Sequence, residues 1–174
     1  MAVQCLKRLA LDAVWLLVSP GNPLKDHSGL APLAQRVTAA RALMNHPRIE
    51  VTGFEAEHGF RYTFETLSFL QSGHTGTRFV WVMGADNLHQ FDRWERWLDI
   101  AGLMPMAIYD RPGSTLRATR SKAAIALKDY RVPEEESEAL ADQEPPAWVY
   151  LHGMVSRQSS TAIRASLSSP DTSN

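Results

Sequence analysis

A single cysteine, Cys5, in 174 residues excludes an intrachain disulfide and a cysteine-built metal cluster, and it fits a reducing cytosol. Long apolar runs are also lacking. The longest, residues 13–18, falls far short of the roughly 20 residues that cross a bilayer. Lys7 and Arg8 ahead of residues 9–18 give a faint likeness to an export signal, but Asp12 interrupts the stretch and no small-residue cleavage pattern follows. Charge of one sign is scarce too: 18 basic and 19 acidic side chains leave a net charge of −1. No global field exists to hold a nucleic-acid backbone or an acidic membrane surface, so any anion site must be local. Neither a Gly-x-x-x-x-Gly-Lys-Ser/Thr loop nor a Gly-x-Gly-x-x-Gly turn occurs, which argues against a P-loop NTPase and an ordinary dinucleotide oxidoreductase. None of the six histidines is paired at ligand spacing, and Ser19 and Ser160 lack the setting of a hydrolase nucleophile.

What is present is enough apolar side chain, 44% of the residues, for one core burying roughly 70% of the unfolded surface. Residues 1–10 have helix character and read as the back half of a helix. Residues 13–18 read as a continuous apolar strand ending at the turn formers Ser19-Pro20-Gly21-Asn22-Pro23. Leu33, Val37, Ala40 and Met44 mark an amphipathic surface helix. Residues 49–54 alternate as a strand, and Thr63 is placed to cap a helix carrying Phe64, Leu67 and Leu70. The run 79–83 reads as a wholly apolar strand buried on both faces, the mark of a parallel sheet covered by helices, and 104–109 as another apolar strand. A Trp-rich helix is expected near residues 94–100, another over 117–130, and a last strand over 148–151. The acidic, Pro-bounded stretch 133–146 reads as a solvated element outside the core, and the tail 168–174 as disordered. Strand and helix in this alternation predict one doubly wound α/β domain, residues 1–167, with a mostly parallel sheet.

In such sheets ligands bind beyond the carboxyl ends of the strands. That rule selects four places: the loop Ser19 to Lys25, the segment Gly84 to Leu88, the turn Asp110 to Gly113, and the helix start Ser159 to Arg164. Gly84 permits close approach of a ligand, and Asp86 can accept a ribose hydroxyl or simply cap a helix. Ser160 and Arg164 suit a phosphate, or a capped surface helix. Phe91, Trp94 and Trp97 recur at three-residue spacing, as a core stripe or with one indole stacked on a flat ring at a pocket edge. Tyr62-Thr63 is a strand end and cap, or a hydroxyl and backbone pair reading a small carboxylate.

In order, Val18-Ser19-Pro20-Gly21-Asn22-Pro23-Leu24-Lys25, Arg61-Tyr62-Thr63 with Thr66-Leu67, Met83-Gly84-Ala85-Asp86-Asn87-Leu88, Phe91 with Trp94, Arg111-Pro112-Gly113 and Ser159-Ser160-Thr161-Ala162-Ile163-Arg164 resemble the bacterial nicotinate-mononucleotide adenylyltransferases. The resemblance covers nearly the whole chain to Leu167. It implies the nucleotidyltransferase fold, of the HUP or Rossmann-like kind. It also implies adenylyl transfer from ATP to nicotinate mononucleotide in a cytoplasmic step of NAD biosynthesis, with Mg²⁺ carried on the ATP. Gly84 and Asp86 would serve the adenosine, Ser160 and Arg164 the triphosphate, Tyr62 and Thr63 the nicotinate, and Trp94 would stack on the pyridine. Lys25 would reach phosphate, although the family's Pro-His-Lys/Arg is Pro-Leu-Lys here.

Members of that family open with a strand and a Gly-Gly-x-Phe-x-Pro-x-His-x-Gly-His loop, and no such pattern precedes Met1. The resemblance therefore implies a chain without the two phosphate-contacting histidines or the central first strand, whose neighbours would have unpaired edges. Gly73-His74 lies in a turn and is no substitute. Two other readings follow: a catalytically impaired nucleotide-binding remnant, or a sister adenylyltransferase with another phosphate substrate such as phosphopantetheine.

Overall fold

The computed structural model describes residues 1–21, 30–110 and 118–153. The apolar runs become short strands that all pair in parallel. β1 (Val14–Leu17) lies beside β2 (Ile49–Thr52), while β3 (Trp81–Gly84), β4 (Met106–Tyr109), β6 (Trp148–Leu151) and β5 (Arg131–Val132) follow in that order in a second sheet. Between them run α1 (Ala2–Arg8), α2 (Leu33–Leu43), α3 (Phe54–Glu57), α4 (Thr63–Gly73), α5 (Ala85–Leu88), α6 (Trp97–Leu103) and α7 (Lys122–Ala126). This is the α/β alternation expected from the sequence.

The continuous apolar composition of β4 and β6 has a direct cause, since both of their faces are covered. Met106 and Ile108 of β4, with Trp148 and Tyr150 of β6, enter one core with Leu67, Leu88, Phe91 and Ile100. The alternate residues Ala107, Tyr109, Val149 and Leu151 enter a second core with Cys5 of α1, Leu9 just past its end, and Leu140. Period-2 alternation thus persists in position even where every side chain is apolar. Helix α1 reaches both sheets, because its Ala2 and Leu6 pack with Ile49 in a third cluster under β1 and β2. At the seam between the sheets β1 hydrogen-bonds only β2, and β3 only β4, among the described residues. Across it, the exposed Trp15 ring meets His74 and Phe79 edge-on at 6.1 and 6.4 Å.

Three local expectations are corrected. The Trp-rich segment is not one helix: a 3₁₀ turn over Phe91–Arg93 gives way to extended Trp94, then left-handed Arg96 at φ 54°, before α6 starts at Trp97. Thr63 does not cap α4 with its hydroxyl. Tyr62 holds the cap position, and the Glu65 carboxylate reaches back to accept the N–H groups of Arg61 and Tyr62 at 2.8 and 3.0 Å. The acidic stretch is not outside the core, because its 3₁₀ helix Glu134–Asp142 buries Ser137 and Leu140 against β6.

Glu134 explains why that acidic element stays put. Its carboxylate pairs with the Arg8 guanidinium of α1, accepts the His152 backbone N–H at 2.8 Å and meets the His152 ring. Burial alone would raise its proton affinity. The bonds from the His152 ring and backbone and from Arg8 outweigh that, and they leave the carboxyl below the ordinary glutamate range. A carboxyl lowered in the folded state stabilises the fold above its unfolded value, about 4.3, and the contribution disappears as pH falls through the folded value. Glu134→Gln is therefore expected to flatten the acid limb of the thermal midpoint measured from about pH 6 to about pH 3. An acid limb parallel to that of the parent chain would refute the assignment.

Candidate functional site

A cavity of about 550 Å³ opens at the carboxyl ends of β1 and β3, on the seam between the sheets. The chain leaves β1 toward one edge and builds β3 onward toward the other, so this is the topological switch point at which open α/β sheets bind ligands. Its lining includes the start of α4, with Arg61, Tyr62 and Thr63, and the segment after β3, with Asn87, Arg93, Trp94 and Glu95. Leu17 at the end of β1, Trp81 at the start of β3 and Ile100 of α6 also line it. Ser19, Gly21 and Glu55 complete the lining.

The start of α4 and the segment after β3 each have a local reason for their shape. Gly59, at φ 71°, turns the chain out of α3 without the penalty that a Cβ would bring, and directs it back into α4. Glu65 then fixes Arg61 and Tyr62 by the paired N–H bonds, which hold its exposed carboxyl below the ordinary range. After β3, Phe91, fully buried, meets Trp94 and Trp97 edge-on at 5.6 and 5.7 Å. The three-residue spacing therefore yields an aromatic cluster around Phe91 instead of a helical stripe. Trp94 is left half-buried, with one part in the core and one on the cavity. Among the described residues the indole N–H groups of Trp81 and Trp94 are buried without a partner.

Of the sequence candidates, the structure brings Tyr62, Thr63 and Trp94 onto one cavity. Gly84 and Asp86 are not on its lining. Gly84 ends β3 and precedes the first turn of α5, in which Asp86 is exposed beside the cavity-lining Asn87. The cap is Gly84 itself, so Asp86 is not the capping residue. Lys25, Ser160 and Arg164, like Arg111-Pro112-Gly113, lie outside the described residues.

Glu55 and Trp81 escaped the sequence reading. Glu55 stood just past a presumed strand end at Phe54, yet β2 stops at Thr52 and Gly53 begins a helix with Glu55 and Glu57 in its first turn. A glycine followed by clustered acids is a recognisable helix start, and it was the available signal. Burial raises the Glu55 carboxyl above the ordinary range against hydrogen bonds from Ser19 and Thr66.

A parallel α/β domain with a mixed polar and aromatic cavity at its switch point is the arrangement of a nucleotide-handling fold. The chain belongs to the cytidylyltransferase-like family, whose model matches residues 1–166. It is 54% identical over 91% of its length to a protein of Methylorubrum extorquens named "Probable nicotinate-nucleotide adenylyltransferase", covering 86% of that relative. Proteins of the same name from Bradyrhizobium sp. (strain BTAi1 / ATCC BAA-1182) and Rhizobium meliloti (strain 1021) are 52% and 46% identical over 91% and 97% of this chain, with 83% and 89% of each relative covered.

Proposed function

We propose that this chain is a nicotinate-nucleotide adenylyltransferase, which moves the adenylyl group of ATP to nicotinate mononucleotide in the cytoplasm. The observation that carries the reading is the convergence of Tyr62, Thr63 and Trp94 on one cavity at the switch point, with the relatives' names in agreement. The pyridine stacks on Trp94 and its carboxylate lies at the start of α4 near Thr63. Asp86, at the carboxyl end of β3, receives the adenosine ribose with Gly84 beside it, and Lys25, Ser160 and Arg164 meet the phosphates.

In the reaction a phosphate oxygen of the mononucleotide forms a bond to the α-phosphorus of ATP. The bond to the bridging oxygen breaks, and pyrophosphate leaves with that electron pair. The substrate supplies the nucleophile, so no protein base is required, and catalysis rests on alignment and charge neutralisation. Among the described residues no three His, Cys, Asp or Glu side chains converge. Mg²⁺ would be carried on the nucleotide phosphates.

A pyrophosphate-release assay comparing nicotinate mononucleotide, nicotinamide mononucleotide and phosphopantetheine tests the proposal. The expected result is turnover of nicotinate mononucleotide at least about 10-fold above the others, as one well-placed polar contact provides. Preference for phosphopantetheine would indicate the sister activity, and calorimetric binding of ATP without turnover would indicate an impaired nucleotide-binding protein.

A further inference from the structure

The turn Ser19-Pro20-Gly21 lines the cavity although no strand or helix holds it. The last ladder bond of β1 runs from Val18 N–H to the Thr52 carbonyl at 2.9 Å, and the turn begins beyond it. Two side chains meet at the turn. Glu55 and Ser19 line the cavity together, the Ser19 hydroxyl partly offsets the burial that raises the Glu55 carboxyl, Glu55 Oε1 accepts the Thr66 hydroxyl at 3.4 Å, and Ser19 Oγ accepts the Gly21 N–H at 3.3 Å. Thr66 is fully buried in the helix that begins at Thr63, so Glu55 couples the turn to the wall bearing Tyr62 and Thr63. Arg36 of α2 donates Nη1 to the Ser19 carbonyl at 2.8 Å, Nη2 to the Pro20 carbonyl at 3.2 Å and Nε to the Ala31 carbonyl at 2.9 Å. One planar guanidinium thereby ties the chain at positions 19 and 20 to position 31. A lysine ammonium on its flexible stem lacks that fixed fork.

We propose that Glu55 and Arg36 are positioning residues that set the turn Ser19-Pro20-Gly21 as part of the lining of the substrate cavity, and that the placed turn contributes to mononucleotide affinity. The positioning rests on the contacts alone, whereas the identity of the ligand rests on the function proposed above.

Two measurements on Glu55→Ala and Arg36→Lys decide it: amide hydrogen exchange of the segment 18–21, and calorimetric affinity for nicotinate mononucleotide. Each variant is expected to exchange faster at Gly21, with β3 and β4 unchanged. Each should also bind the mononucleotide about 10-fold more weakly, as loss of a charge-assisted hydrogen bond implies. Glu57→Ala, an exposed change on the same short helix, is expected to alter neither. Unchanged exchange at Gly21 overturns the clamp. Faster exchange with unaltered affinity overturns the turn's place in the ligand site. Arg36 lies on a helix with no buried residue, so Arg36→Lys folds and stays decisive even if Glu55→Ala unfolds. If the parent chain binds no pyridine mononucleotide, the proposed function fails while hydrogen exchange still decides the positioning.

Discussion

Phe91→Ala is expected to lower the unfolding free energy by about 3–5 kcal/mol, the range for truncating a large aromatic side chain in a packed core. The side chain is fully buried, lies in the core shared by β4, β6 and α6, and supports both Trp94 and Trp97 by edge-on contacts. Removing it deletes its own transfer free energy and leaves a void beside two rings that cannot close over it without leaving their positions. Denaturant unfolding is the measurement, with the slope checked against the parent chain so that a changed midpoint reads as stability. Leu98→Ala, on the neighbouring helix but 58% exposed, should stay within about 0.5 kcal/mol. A loss near that of Leu98→Ala would show that Phe91 is not the keystone of the cluster. Because Phe91 also sets the Trp94 ring, the variant should bind nicotinate mononucleotide more weakly even where it remains folded.

The Phe91 cluster also shows what the sequence could and could not reveal. Three aromatic residues at three-residue spacing pointed to a helical face, yet the same spacing is produced by a 3₁₀ turn, an extended Trp94 and a left-handed Arg96. Periodicity records which residues are apolar, not whether the backbone between them is continuous. The signal was stronger in uninterrupted apolar runs: β4 and β6, buried throughout, lie in the runs 104–109 and 148–151, whereas β3 starts at Trp81, two residues into the run 79–83, ends at Gly84 and is only half-buried at Trp81 and Val82. β5, with only Arg131 and Val132, is too short to carry a pattern. The acidic stretch was misread because composition weighs many exposed acids against one Leu140, while the fold is decided by that leucine and by Glu134 reaching Arg8 and His152. Strand order, and with it the seam and the cavity, is long-range information with no local signature.

Within the site, chemistry-bearing motifs were easier to read than the residues that place them. Taken alone, Tyr62-Thr63 and Trp94 were open between packing or capping and ligand contact, and the family resemblance singled them out; they do share a cavity. Glu55 and Arg36 act by contacting the turn at positions 19 and 20, from 36 and from 16 residues away along the chain respectively, and nothing in their immediate neighbours marks them. A residue that positions another is visible only after the chain has folded.

Trp94→Ala tests the ligand reading most directly, and its effect should be confined to one substrate. Removing an aromatic platform on which a flat heterocycle stacks costs about 1–3 kcal/mol, so the dissociation constant for nicotinate mononucleotide should rise roughly 5- to 150-fold. The affinity for ATP should change by less than about 2-fold, since Asp86 and Gly84 are separate from the cavity lining to which Trp94 belongs. Trp94→Phe keeps an aromatic face and should recover most of the loss, because stacking depends on the ring and not on the indole N–H. Stability should fall less than in Phe91→Ala, as Trp94 is only half-buried and sits at the edge of the core. Calorimetry with each substrate separately, beside an unfolding curve, distinguishes the roles. Equal weakening for both substrates, in step with lost stability, would make Trp94 a packing residue whose place on the cavity wall is incidental to binding.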